Sequence, residues 1–175
     1  LKAKPAILWG ARLGLLTIAL LHIVTAFQLV ARNQAARPVK YGNGKPPVAA
    51  SIFSRTTAIS GTIVLAFILF HLLHFTVGVI DSSLMSLRLN DTHNVFGMMA
   101  QAFGNPLIAG FYLVSMALLC MHLAHGVSSM FQSLGIKNGA YDMLINRFAK
   151  VAAFAIFLGN SAIVIAFLTG LLKTP

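Results

Sequence analysis

The chain has 175 residues, of which 58% are hydrophobic and 9% charged. Its length suits about one domain, yet an ordinary soluble domain carries about 25% charge. Too few water-compatible side chains are present to cover a soluble enzyme, and disorder is excluded because it needs low hydrophobicity. The net charge of +10 marks no nucleic-acid surface, since the Lys and Arg residues sit between long uncharged runs and form no single patch. The lone Cys120 can form no internal disulfide.

A helix needs about 20 mostly apolar residues to cross a bilayer. Residues 13–31 are uncharged and Arg12 at their edge can snorkel, which predicts a first span over about 7–32. Residues 56–80 are uncharged throughout and predict a second span over about 54–81. The next uncharged run, 92–136, is interrupted by Gly104-Asn105-Pro106. It divides into a short interfacial helix, about 92–103, and a third span, 106–133. Met98, Met99 and Phe103 then read as the lipid-facing side of that interfacial helix. The run 151–172 predicts the last span, about 148–173. Backbone groups in lipid must pair internally, and these runs are too long for barrel strands. The fold class is therefore all-α, a transmembrane helical bundle with four spans in a single membrane domain, 1–175.

The loops set a direction. One side receives Arg32, Arg37, Lys40, Lys45, Arg55, Lys137, Arg147 and Lys150; the other receives Lys2, Lys4, Arg12, Arg88 and Lys173. The richer side is expected to be cytoplasmic. The N-terminus then lies outside, with no signal-peptide h-region or cleavage site near it, and the chain begins at Leu1 without Met. A further helix is expected upstream.

Five of the six histidines fall inside the spans: His22, His71, His74, His122 and His125. Ionisable groups at such depth are costly and usually face a bundle interior or a functional pathway. A neutral imidazole can hydrogen-bond to a neighbouring helix or ligate haem iron. Five on three helices favour a cofactor. At about 1.5 Å per residue, His22 lies roughly 15 Å before Arg32, and His122 roughly 17 Å before Ser133 on a helix running the same way. The two can share a level, as paired axial ligands must. His71 lies roughly 24 Å beyond Arg55 on a helix running outward, at a second level. His71 and His74, like His122 and His125, are spaced i, i+3 and share a helix face. No span holds an Asp or Glu in its interior, which weighs against metal-ion transport and proton pumping.

Three stretches carry a resemblance to a known family. The first is Leu21-His22-Ile23 with Asn33, Ala36-Arg37-Pro38 and Tyr41. The second is Ser54-Arg55-Thr56 with Gly61, then His71 ten residues on, and His74-Phe75. The third and most specific joins His122, His125 and Gly126 to Phe131-Gln132-Ser133-Leu134-Gly135. Together they resemble the membrane-anchor cytochrome b subunit of succinate dehydrogenase and fumarate reductase, of the single-subunit, five-helix, two-haem type, over about residues 20–135.

The resemblance implies a haem b-containing anchor of succinate:quinone oxidoreductase in the bacterial cytoplasmic membrane. Such an anchor is a non-catalytic subunit passing electrons between an iron–sulfur subunit and a membrane quinone, with succinate oxidised in a partner flavoprotein. It makes His22 and His122 ligands of the inner haem, and His71 a ligand of the outer haem with a histidine on a helix before Leu1. His74 and His125 become supporting residues, and His74 and Asp81 candidate quinone contacts. Arg55 and Arg12 become candidate partners of haem propionates, or else snorkel. Where some two-haem members place a Glu for proton transfer, this chain has Cys120, so that route is unsupported. The basic loop residues suit a peripheral partner or anionic lipid. The rival readings are the cytochrome b subunit of a formate dehydrogenase or nitrate reductase, and a haem-free structural or transport membrane protein. Ser60 and Ser128 are expected to bond between helices, Asn160 to face another helix, Asp81 to end a span, and His93 to be solvated.

Overall fold

Long apolar runs can satisfy their backbone in lipid only by coiling. In the computed structural model they do so, among the described residues, in four helices long and apolar enough to cross a membrane. The structure describes residues 5–36, 52–89, 92–136 and 138–172. The chain divides into two units, Leu1–Ser51 and Ile52–Pro175. The basic residues Lys2, Lys4, Arg37, Lys40, Lys45, Lys137 and Lys173, and the side chain of Arg55, lie outside the described residues. So do Pro38 and Tyr41 of the first family-like stretch.

The first unit holds α1 (Pro5–Ala35), none of whose residues is buried. Its apolar side chains run all round the cylinder, as in a helix solvated by lipid. The second unit opens with α2 (Ile52–Leu72), which continues into a π-helical turn, Leu73–Val77. Gly78 ends that turn at φ +77°, and a Cβ there would stand 2.2 Å from Met85 Cγ, so only glycine fits. Asp81 then caps α3 (Ser82–Ser86), accepting from Ser83 N at 3.1 Å. The second hydrophobic stretch is therefore helical only to Val77, breaks at Gly78–Asp81, and resumes for one turn.

A two-residue ribbon follows, in which β1 (Arg88–Leu89) pairs antiparallel with β2 (Thr92–His93). The expected interfacial helix consequently begins later, as α4 (Val95–Phe103), with Asn94 Oδ1 accepting from Gly97 N at 3.0 Å. Its assignment to a lipid face is corrected: Met98 and Phe103 are buried and Met99 is half-buried. Met98 and Ala102 pack on Leu84 of α3, while Phe103 joins Phe67, Ala109, Tyr112, Val164 and Phe167 in the main core. An apolar face reads alike whether lipid or protein covers it. Here α3, α5 and α6 do.

Helix α5 (Pro106–Ser133) starts where the Gly-Asn-Pro punctuation places it. Asn105 Oδ1 accepts from Leu107 N at 2.9 Å, and Pro106 occupies the first turn, where its missing N–H costs nothing. Helix α6 (Asp142–Leu168) starts six residues before the expected 148 and ends before 173. Its polar first turn is held by Asn146, which accepts from Ser128 Oγ of α5 at 2.6 Å and donates to Asp142 Oδ1 at 3.2 Å. Helix α5 packs against both α6 and α2.

Candidate functional site

The second unit gathers histidines at two places along the α2–α5 seam. Near the start of α2 and the end of α5, Ser60 Oγ lies 3.2 Å from His122 Nδ1 and 3.0 Å from Thr57 O. Gly61 faces the same ring, and a Cβ there would lie 3.2 Å from His122 Cε1. Glycine thus clears the space that the imidazole occupies. Thr57, Ser60, His122 and His125 line a small recess with Leu118 and Met121. One turn on, His125 Nε2 contacts Ser129 Oγ at 3.3 Å within α5 itself.

At the other end of the seam, Tyr112 of α5 projects its hydroxyl between two imidazoles of the α2 stretch. The oxygen is 3.0 Å from His74 Nδ1 and 3.5 Å from His71 Nδ1. The rings differ in burial. His74 is 2% exposed, whereas His71 is exposed on the unit's surface. The i, i+3 spacing predicts a shared face, and both rings do reach the same Tyr112 hydroxyl; the π turn begins between them, and only His74, within it, is enclosed. Aromatic rings fill the rest of the space. Phe75 lies 4.5 Å from His74 and 5.6 Å from His71 between ring centroids, and Tyr112 packs edge-on against Phe67 and Phe103 at 5.3 and 5.1 Å. Such edge-to-face pairs hold the tyrosine ring, and therefore its hydroxyl, in place.

A hydroxyl has one hydrogen. Donated to His74 Nδ1 at 3.0 Å, it leaves the oxygen only lone pairs for His71 Nδ1 at the longer 3.5 Å.

The remaining candidates have settings of their own within each unit. His22 is exposed on α1 in the first unit. Arg12, on the same helix, lays its guanidinium over the Trp9 ring, 5.3 Å from the centroid. Asp81 spends its carboxylate on Ser83, at both the backbone N–H and the hydroxyl. Among the described residues no three His, Cys, Asp or Glu side chains converge on one point.

His93 is half-buried with its Nδ1 buried and, among the described residues, without a partner, which corrects the expectation of a solvated side chain. Asn160 donates to Ile156 O of its own helix at 2.8 Å, and does not bridge helices. Sequence reasoning missed Tyr112 and Thr57. The available signal was that a tyrosine inside an apolar span must find its hydroxyl a partner, and the neighbouring span carries two histidines. Compared with protein-family models, curated proteins and solved structures, the chain matches none.

Proposed function

We propose that this chain is a haem b-bearing membrane anchor of succinate:quinone oxidoreductase in a bacterial cytoplasmic membrane. It would carry electrons between an iron–sulfur subunit, itself joined to a flavoprotein, and membrane quinone. The observation that carries the reading is the histidine set: imidazoles on three apolar helices, with no carboxylate in the uncharged stretches around them. That donor chemistry fits haem iron, which takes neutral imidazole axially. The clearance that Gly61 leaves beside His122 fits it too, since a side chain there would crowd the ring.

His71 is favoured over His74 as a ligand because its ring lies at the surface, where a macrocycle can be laid against it. His74 is encased by Phe70, Phe75 and Tyr112. Ligation through Nε2 needs the proton on Nδ1, and Tyr112 then accepts that proton's hydrogen bond from His71 while donating its own to His74. The pairing of His22 with His122 rests on their matched depth in the sequence and on the family resemblance. When bound, haem supplies reversible one-electron transfer; the chain supplies imidazoles, a low-dielectric surround and hydrogen bonds that tune them.

The test is the absorption spectrum of the purified membrane complex, with pyridine haemochrome quantified against protein. A sharp reduced α-band that succinate itself develops is expected, diminished in His22→Ala and His122→Ala and retained in His125→Ala. A haem-free spectrum would sink the proposal. An α-band that formate but not succinate develops would transfer the chain to the other anchor class.

A further inference from the structure

Ser60 and His122 lie 62 residues apart, and their contact ties α2 to α5 through a defined donor and acceptor. The Ser60 hydroxyl lies 3.0 Å from the Thr57 carbonyl, which has no hydrogen to give. We assign the hydroxyl's only hydrogen to this shorter of its two contacts. Towards His122 the serine oxygen then offers lone pairs alone, and a hydrogen bond at 3.2 Å requires that Nδ1 carry the proton. A neutral imidazole has one N–H, so its lone pair sits on Nε2. We infer that Ser60 is a positioning residue for His122, fixing the tautomer that presents Nε2 as the base to a haem iron; this rests on the haem reading above.

Gly61 completes the device from the next position. A methyl group at that residue would press on Cε1, the carbon between the two ring nitrogens, at 3.2 Å. One residue thus holds the ring by a hydrogen bond, and its neighbour leaves room for it. Donating Nδ1–H to an acceptor also makes the opposite nitrogen a stronger base, as with other partners of metal-bound histidines. A stronger base favours the ferric over the ferrous state, so Ser60 holds the potential of the His122 centre down.

The test uses the membrane complex containing the full-length chain, as wild type, Ser60→Ala and Ser60→Thr. Two quantities are read: the midpoint potential of the α-band component missing from His122→Ala, and the rate of haem transfer to excess apomyoglobin. In Ser60→Ala the potential is expected to rise and transfer to quicken about tenfold or more, the usual consequence of losing such a partner. Ser60→Thr, which keeps the hydroxyl, restores both. Should Ser60→Ala fail to assemble, Ser60→Cys replaces it with the same expected directions, since sulfur is a weak acceptor. A haem-loaded wild type whose serine-free variant matches it in both readouts overturns the inference alone, as does a threonine variant that behaves like alanine. A wild type without haem overturns the functional reading and the inference with it.

Discussion

Tyr112 brings a hydroxyl into a ring of aromatic side chains on the seam between α2 and α5, and the cost of removing its oxygen is correspondingly steep. Replacing it with Phe leaves His74 Nδ1 buried with its hydrogen-bond partner gone. An unsatisfied buried polar atom costs about 1–3 kcal/mol. The Tyr112→Phe variant is expected to unfold at lower temperature in detergent by that order, with helix content at low temperature unchanged by circular dichroism. Single residues were unevenly legible in the sequence. Ser60 and Ser128 were expected to bond between helices, and they reach His122 and Asn146. The shared face of His71 and His74 was legible from their i, i+3 spacing, but their unequal burial was not. Nothing in Leu73-His74-Phe75-Thr76-Val77 announces a π turn: the segment holds neither Gly nor Pro.

At the scale of elements, the punctuation between helices does the positioning. Asn105 and Pro106 start α5, and the start sets how far along the seam Tyr112 and His122 fall. Asn105→Ala removes the cap and is expected to cost about 0.5–2 kcal/mol, read as a lowered midpoint of unfolding. At Gly78, alanine meets two separate penalties: left-handed backbone at φ +77° and the approach to Met85. Holding a non-glycine residue there costs about 1–3 kcal/mol. The prediction is a double-mutant cycle in which Met85→Ala recovers part of the Gly78→Ala loss, the contact, and leaves the backbone part. Full recovery would show that the positive φ carries no cost. The helices themselves were legible because lipid demands long apolar runs of any spanning segment. What covers each face was not legible: α4 has one apolar side either way, and only its seating on α3, α5 and α6 shows that protein covers Met98 and Phe103.

For the whole molecule, the four apolar helices establish a multi-pass membrane protein, and the distribution of Lys and Arg argues its direction. With the one native cysteine, Cys120, buried, introduced single cysteines report on that direction. A cysteine introduced at Ser82 is expected to react with an impermeant maleimide from outside intact cells, and one at Ala140 only after the membrane is opened. The reverse pattern would invert the orientation and, with it, the side on which a peripheral partner docks.

The π turn has a wider consequence for how this bundle can vary. The wide turn closes the α2 stretch and ends at Gly78, so the straight part of the helix sets Ser60 and Gly61 against His122 while the last turn seats His74 beside Tyr112. Deleting one residue within 73–77 would tighten that last turn and re-aim His74 while leaving Ser60 and Gly61 where they are. Substitutions that reshape one histidine cluster therefore need no compensation at the other, and the two ends of the seam are free to drift apart in sequence.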